Sequence, residues 1–205
     1  MILLRHALDF AGFAFAASLS LLAVMTYHTI CYQNGEDGSA THFTMAVGGL
    51  FYLGWLGSYL IALRNLPDGD LWVFTGLAAA WFADTGAYFI GRRFGKHKMA
   101  SRVSPKKSWE GYLGGIVTTI LLNALLAWAW SLRVPLITPL KGALLGLIVG
   151  AIAPLGDLGE SMLKRQFGVK DTSQLLPGHG GMLDRLDSTL WAGVISYYII
   201  TLFML

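Results

Sequence analysis

The sequence contains little charge and almost no cysteine. Only 13% of its 205 residues are charged, about half the fraction that is usual in soluble domains. This scarcity excludes a soluble globular enzyme, and a net charge of only +3 excludes a polybasic nucleic-acid-binding module. A hydrophobic content of 55% excludes a disordered chain. The single cysteine, Cys31, has no partner for an internal disulfide or a thiolate metal site.

Long uncharged runs take the place of the missing charge. Four of them, at 10–35, 38–63, 111–132 and 188–205, contain 18 residues or more, about the length that a helix needs to cross a bilayer. With two shorter runs they predict an all-α, polytopic membrane protein with about six transmembrane helices. We place these helices at about 8–30, 43–63, 71–91, 110–131, 138–157 and 187–205. We interpret the first as an uncleaved helix and expect residues 1–205 to form a single membrane-embedded domain.

The charged residues are concentrated in two hydrophilic segments. Residues 92–107 carry seven basic side chains and no acidic one, whereas residues 157–187 carry four basic and five acidic side chains. Because two predicted helices separate the segments, both emerge on the same side of the membrane. The positive-inside rule assigns that side to the cytoplasm. The first segment either binds a ligand or, as the alternative, only determines the topology of the chain in the membrane.

The first polar pattern lies at the end of the fifth predicted helix. If this helix continues, Asp157, Glu160, Ser161 and Lys164 follow the spacing i, i+3, i+4 and i+7 and share one helical face. Such a stripe at the end of an apolar helix faces a bundle interior or a water-filled cavity. An interfacial helix with an ordinary solvated face is the alternative interpretation.

A glycine-rich turn precedes the last helix. Residues 177–181, Pro-Gly-His-Gly-Gly, cannot form a helix, and glycines let backbone amides approach an anion. Asp184 and Asp187 follow, on the first turn of the helix. Carboxylates beside lysine and arginine suit a divalent cation and the phosphates that share it. Helix capping explains one aspartate but not the array with Asp157, Lys164 and His179.

Two further polar features precede these segments. Asp84 lies inside the third apolar helix, where a carboxylate indicates function unless it makes a structural hydrogen bond. Ser104, Lys106 and Lys107 lie just before Ser108, which can start the fourth helix. Lysines and hydroxyls at a helix start suit a triphosphate or a lipid phosphate, although such loops often contact only anionic headgroups.

Together these motifs resemble a known family. The stretch 161–187, Ser-x2-Lys-Arg-x4-Lys-Asp-x5-Pro-x-His-Gly-Gly-x2-Asp-Arg-x-Asp, looks like the hallmark motif of phosphatidate cytidylyltransferases (CDP-diacylglycerol synthases). Residues 84–88, 91–98 and 103–111 resemble the same family, in the same order. The resemblance covers roughly 43–205. Relative to bacterial members, we expect the chain to be short by about three N-terminal helices.

The resemblance implies a reaction of CTP with phosphatidate that gives CDP-diacylglycerol and pyrophosphate. It implies a polar cavity open to membrane lipids and facing the cytoplasm at the bacterial inner membrane, and Mg²⁺ as cofactor with K⁺ as the candidate second cation. A homodimer is a further expectation. The expected metal ligands are Asp157, Asp184 and Asp187, which with Ser161 and Lys164 form the expected catalytic set. The residues expected to bind substrates are Asp84, Ser104, Lys106, Lys107, Arg165, Lys170, His179, Gly180, Gly181 and Arg185.

Three other functions stay open at this point. One is a related CTP-dependent enzyme acting on another membrane lipid, such as an archaeal-type CDP-lipid synthase or a polyprenol kinase. Another is a transporter that uses the buried carboxylates as a pathway, although the sequence shows no inverted repeat. The third is an inactive, truncated paralogue that serves as a membrane scaffold.

Overall fold

The structure, a computed structural model, describes residues 10–173 and 181–205. These residues are almost entirely helical, and the only strands among them form a short antiparallel ribbon before α5. The helices are α1 (Phe10–Gln33), α2 (Ser39–Gly49), α3 (Leu56–Arg64), α4 (Gly69–Phe94), α5 (Trp109–Ser131), α6 (Pro139–Ile152), α7 (Pro154–Gln166) and α8 (Leu183–Phe203). A π-helical segment, Leu50–Trp55, joins α2 to α3. The ribbon consists of β1 (Lys98–Ala100) and β2 (Ser104–Ser108).

Six helical stretches in the described part of the chain are long and apolar enough to cross a membrane. They are Gly12–Gln33, Ser39–Arg64, Gly69–Phe94, Trp109–Ser131, Pro139–Gln166 and Leu183–Phe203. The chain is therefore a multi-pass membrane protein, and the predicted all-α class is confirmed. The second span is longer than predicted because its helix begins at Ser39, four residues before the predicted start. The fifth extends to Gln166, so its polar stripe is helical, as the spacing required.

Proline divides the fifth span into an apolar and a polar part. Pro154 has no amide hydrogen, so the hydrogen-bond ladder is interrupted where α6 ends. The Gly156 amide instead donates to the Ala153 carbonyl oxygen at 2.9 Å, which is the tighter spacing of a 3₁₀ turn. The helix then resumes as α7. The carboxylates of the stripe consequently begin one turn after the end of α6.

Small residues bring α5 close to its neighbours α4 and α6. A Cβ atom at Gly115 would lie 2.6 Å from the carbonyl oxygen of Ala83 on α4. A Cβ atom at Gly146 would lie 2.7 Å from the carbonyl oxygen of Thr119, so α6 also contacts the backbone of α5. Close backbone approach of this kind drives helix association in lipid, where the hydrophobic effect between helices is absent.

The ribbon lies where α4 ends and α5 begins. Lys98 is opposite Ser108 and Ala100 is opposite Ser104, with an irregular register between the two pairs. Ser108 also caps α5, because its Oγ accepts a hydrogen bond from the Gly111 amide at 3.2 Å. The predicted start of the fourth helix is therefore confirmed. The ribbon was not predicted, because neither strand carries the alternation of apolar residues that signals a strand.

Candidate active site

Carboxylates from α7 and α8 form a cluster. Asp157, Glu160 and Asp187 each offer an oxygen, and these oxygens lie within 4.8 Å of one another. Glu160 is 1% exposed and Asp187 is 8% exposed. In the described part of the chain, Oε1 of Glu160 has no hydrogen-bond partner. Buried carboxylates are costly without a counter-charge, and carboxylate oxygens are ligands that Mg²⁺ prefers, so these residues fit a divalent cation.

Gly156 allows α7 to approach α8 at the level of this carboxylate cluster. A Cβ atom at this position would lie 2.7 Å from the carbonyl oxygen of Asp187 and 2.5 Å from Cδ1 of Trp191. Neither distance is tolerated in real packing, so any side chain here would push the helices apart. Because Asp157 follows Gly156 directly, the close approach places Asp157 beside Asp187.

Lys164 joins α7 to α8 through two carboxylates. Its Nζ lies 2.7 Å from Oε2 of Glu160, one turn earlier on α7, and 2.6 Å from Oδ1 of Asp184 on α8. The side chains of Lys164, Glu160 and Asp184 are only 13%, 1% and 10% exposed. Water therefore screens these ion pairs weakly. Loss of the ammonium would leave two shielded carboxylates without their main counter-charge.

Asp184 also connects the two ends of the segment between α7 and α8. Its Oδ2 accepts hydrogen bonds from the amide of Thr172 at 3.0 Å, the hydroxyl of Thr172 at 2.9 Å and the amide of Gly181 at 2.7 Å. Both oxygens of Asp184 thus already have donors. The structure groups Glu160, rather than Asp184, with Asp157 and Asp187. The expected role of Asp184 as a metal ligand stays a prediction.

A cavity of about 570 Å³ opens beside the carboxylate cluster. Its walls come from α4, the ribbon, the first turn of α5 and the start of α7. The polar and charged residues that line it are Asp84, Tyr88, Arg92, Lys98, Lys106, Lys107, Ser108, Tyr112 and Asp157. A cavity of this volume is large enough for a drug-sized or nucleotide-sized ligand. Its four basic residues make it suitable for an anion.

One ion pair lies at the boundary between the cavity and the carboxylate cluster. Nζ of Lys107 is 2.7 Å from Oδ2 of Asp157, and about a quarter of each side chain is exposed (26% and 29%). Oδ1 of Asp157 accepts a hydrogen bond from the hydroxyl of Ser161 at 3.2 Å. Lys107 also donates to the carbonyl oxygen of Pro154 at 3.4 Å. These contacts hold β2 against the junction of α6 and α7.

Glu110 holds the segment that leads into the ribbon. Its carboxylate accepts hydrogen bonds from the backbone amides of Lys96 at 3.1 Å and His97 at 3.2 Å. Nδ1 of His97 lies 2.5 Å from Oε1 of the same carboxylate. The amide of Trp109 donates to the carbonyl oxygen of His97 at 3.0 Å. The first turn of α5 therefore positions the start of the basic ribbon.

The structure brings most of the expected site residues together. Those in or beside the carboxylate cluster are Asp157, Ser161, Lys164, Asp184 and Asp187. Those that line the cavity are Asp84, Lys106 and Lys107. Gly181 is buried and donates to Asp184.

The other expected substrate-binding residues are not among those that line the cavity, or they lie outside the described residues. Ser104 is half-buried at the start of β2. Arg165, Lys170 and Arg185 are exposed, and Arg165 donates to the carbonyl oxygen of Val169 at 3.4 Å. His179 and Gly180 lie outside the described residues.

Sequence reasoning missed several residues of the site. Glu160 belongs to the predicted stripe but was not among the expected ligands. Tyr88 and Arg92 follow Asp84 at i+4 and i+8, and Arg92 donates to the Tyr88 hydroxyl at 3.1 Å. Helical periodicity on α4 could have found both. Lys98 and Tyr112 reach the cavity only because the ribbon folds beside α5, and no local signal predicts that.

A family model described as the cytidylyltransferase family matches residues 2–203. The chain belongs to the cytidylyltransferase family. The resemblance seen in the sequence is thus confirmed, and the match also includes residues before position 43.

Curated relatives carry the name phosphatidate cytidylyltransferase. The relative in Synechocystis sp. is 40% identical over an alignment of 183 residues, and the match covers 76% of this chain and 61% of the relative. The relative in Bacillus subtilis is 36% identical over 188 residues, 91% of this chain and 68% of the relative. The relative in Mycobacterium bovis is 42% identical over 167 residues, 82% of this chain and 52% of the relative. This cytidylyltransferase family member therefore spans about half to two thirds of the length of these relatives.

Proposed function

We propose that this chain transfers the cytidylyl group of CTP to phosphatidate, giving CDP-diacylglycerol and pyrophosphate. One observation carries the proposal: in a cytidylyltransferase family member, a basic cavity of nucleotide size meets a buried carboxylate cluster at the end of membrane helices. CTP is soluble and does not enter lipid, whereas phosphatidate does not leave it. A site at the ends of the spans is open to both substrates.

The proposed reaction is a substitution at phosphorus. An oxygen of the lipid phosphate attacks the α-phosphorus of CTP and forms a new P–O bond. The bond between the α-phosphorus and the oxygen that bridges to the β-phosphorus breaks, and pyrophosphate leaves with that oxygen. Because both reactants are anions, the protein must mainly neutralise charge and hold the groups in line. The lipid phosphate is already ionised near neutral pH, so no general base is needed.

We assign the basic residues of the cavity to the phosphates. Lys98, Lys106 and Lys107 of the ribbon face the same cavity as Arg92 of α4. Charge-assisted hydrogen bonds from such groups are the strong ones in phosphate recognition. Asp84 lines the same cavity, and its carboxylate would repel a triphosphate. We therefore expect Asp84 to face the nucleoside, where it can accept hydrogen bonds.

We assign the carboxylate cluster to Mg²⁺. Asp157, Glu160 and Asp187 would hold the ion, with Asp184 as a further candidate ligand. When bound, the cation would neutralise phosphate oxygens and the charge that develops on pyrophosphate. Lys164 would keep Glu160 and Asp184 in place. K⁺ as a second cation is part of the proposal, without assigned residues.

We further propose that the cavity faces the cytoplasm of a bacterial inner membrane. The seven basic residues of 92–107 support this orientation under the positive-inside rule. Single cysteines at Lys170 and Asp70, in a Cys31→Ser background, should lie on opposite sides. In intact cells a membrane-impermeant maleimide should label only the cysteine at position 70, and the reverse pattern would contradict the orientation. Light scattering of the detergent complex tests the expected homodimer.

The activity is tested with purified protein in detergent. Radiolabelled CTP, phosphatidate and Mg²⁺ should give labelled CDP-diacylglycerol, and EDTA should prevent its formation. Asp187→Asn should lower turnover by about 100-fold or more. The same change at exposed Asp70, in the first turn of α4 at the end away from the cavity, should not. A labelled product with another lipid only, or none from monodisperse protein, would contradict the proposal.

A further inference from the structure

We propose that Lys107 is an exchangeable counter-cation of Asp157. It pairs with Asp157 before the metal and the nucleotide bind, and it moves to the nucleotide phosphates when they bind. Metal binding is thereby made dependent on the nucleotide. This inference rests on the metal and nucleotide sites of the proposed function and concerns the coupling between them.

Lys107 and a metal ion would compete for the same carboxylate. Oδ2 of Asp157 is 2.7 Å from Nζ of Lys107, and Oδ1 accepts the hydrogen bond of Ser161. Asp157 is also one of the three residues whose oxygens converge in the carboxylate cluster. A cation held by this cluster needs an oxygen of Asp157 that already has a partner. The simplest oxygen to free is the one that Lys107 occupies.

The two lysines of the site differ in how firmly they are held. Lys164 is 13% exposed and lies between two carboxylates that are nearly buried. Lys107 is twice as exposed, at 26%, and pairs with a single carboxylate that is itself 29% exposed. Ion pairs with this exposure contribute little to stability and open readily. Lys107 can therefore leave its partner, whereas Lys164 stays in place.

Lys107 is also placed to reach a bound nucleotide. Its side chain lines the cavity that Arg92, Lys98 and Lys106 share, and its backbone lies on β2. A lysine has four rotatable side-chain bonds and a compact charge. Rotation about these bonds moves the ammonium from the cavity wall toward the centre without any movement of the ribbon.

The exchange leaves both Asp157 and Lys107 with a partner of opposite charge at each stage. Asp157, Glu160, Asp184 and Asp187 carry four formal negative charges, and Lys107 and Lys164 carry two positive ones. Without the metal, Lys107 compensates Asp157. With metal and nucleotide bound, the divalent cation compensates Asp157, and Lys107 compensates a phosphate. A metal ion alone would displace Lys107 without offering it a new partner, so it should bind weakly.

The test compares Lys107→Ala with Lys106→Ala, which removes the same charge from the neighbouring position of the same cavity wall. Mn²⁺ binding to the purified protein without nucleotide is measured by electron paramagnetic resonance. Lys107→Ala should bind Mn²⁺ about 10-fold more tightly than the parent chain, equivalent to ~1.4 kcal/mol. Lys106→Ala should change the Mn²⁺ affinity by less than about 2-fold, because this substitution breaks no ion pair with the carboxylate cluster.

Nucleotide binding should change in the opposite direction. With saturating Mn²⁺ and no phosphatidate, equilibrium filtration should show that Lys107→Ala binds radiolabelled CTP about 10-fold more weakly. A merely structural role of Lys107 would weaken both ligands. Lys107→Gln, which keeps most of the side-chain length, should show the same opposite changes and guards against misfolding of the alanine variant.

Results other than these would contradict the exchange. Unchanged or weaker Mn²⁺ binding by Lys107→Ala would overturn it, and so would an equal gain in Lys106→Ala, which would indicate a general effect of charge. Asp187→Asn separates this failure from that of the proposed function. If Mn²⁺ binding does not depend on Asp187, the metal site itself is wrong and the exchange falls with it. If the dependence on Asp187 is normal, only the exchange fails.

Discussion

The site has an acidic half on α7 and α8 and a basic half on the ribbon and the end of α4. In the acidic half, Lys164 bridges Glu160 and Asp184, and all three side chains are nearly buried. In the basic half, Lys107 makes a single, partly exposed ion pair. The two halves are also supported differently. Close helix packing at Gly156 holds the acidic half. The basic half lies mainly on the two-stranded ribbon between α4 and α5. The carboxylates are therefore preorganised, whereas the lysines of the ribbon can adapt to their ligand.

The largest effect is expected from Asp184→Asn. The amide would place an N–H group against the donors of Lys164, Thr172 or Gly181, which all now face a carboxylate oxygen. We expect kcat/KM to fall by at least about 100-fold, while the chain still inserts into the membrane. The labelled-lipid assay measures the effect, and Asp70→Asn is the matched control. Normal turnover by the asparagine variant would remove Asp184 from the site.

Lys164→Ala should break the bridge between the two helices. It leaves Glu160 and Asp184 without their shared ammonium, and breaking a buried ion pair costs about 3 kcal/mol of stability. We expect the melting temperature in detergent to fall and kcat/KM to drop more than ~10-fold. Lys96→Ala, at an exposed position of the ribbon segment, should change neither. Equal behaviour of the two variants would show that the acidic half needs no bridge.

Two glycines of α7 offer a matched test of helix packing. A Cβ atom at Gly156 meets α8 at 2.5 Å, whereas one at Gly159 meets nothing within 4 Å. Gly156→Ala should therefore separate Asp157 from Asp187 and lower kcat/KM about 10-fold, since a misplacement of about 1 Å can cost up to about 100-fold. Gly159→Ala should keep full activity and raise the free energy of unfolding by about 0.5–1 kcal/mol, because alanine favours the helix. Equal activities would contradict the role of Gly156.

The smallest effect is expected in the basic half, from Glu110→Gln. Glutamine keeps one acceptor oxygen, so it can still accept a hydrogen bond from the backbone amide of Lys96 or His97. We expect KM for CTP to rise about 3-fold with little change in kcat, since a weakened neutral contact costs about 0.5–1 kcal/mol. Glu36→Gln, on the exposed α1–α2 loop, is the control. A loss of kcat as large as that of Lys164→Ala would show that the ribbon is as rigid as the carboxylates.

Much of the fold could be predicted from composition and spacing. The uncharged runs predicted all six spans, because a bilayer imposes a minimum apolar length on each helix. The spacing from Asp157 to Lys164 predicted one polar helical face, and Ser108 predicted a helix start. The family motif then indicated where the chemistry lies. These features are local, so no knowledge of distant contacts was needed.

The composition of the site was less predictable. Asp157, Asp184 and Asp187 were expected to share a metal, yet Glu160 takes the third place in the carboxylate cluster, and Asp184 binds Lys164, Thr172 and Gly181. Which carboxylate points into the cluster depends on how closely α7 meets α8. The ribbon was missed because its strands are stabilised by pairing and by Glu110, not by their own pattern.

The amino-acid sequence alone determined that this chain is a helical membrane protein of the cytidylyltransferase family with two charged segments on one side. The tertiary structure decided that Lys107 pairs with Asp157, that Lys164 bridges two helices, and that Arg92, Lys98 and Tyr112 share one cavity. The reason is physical. Hydropathy and helical period are properties of neighbouring residues, whereas an ion pair between β2 and α7 depends on backbone contacts between distant segments.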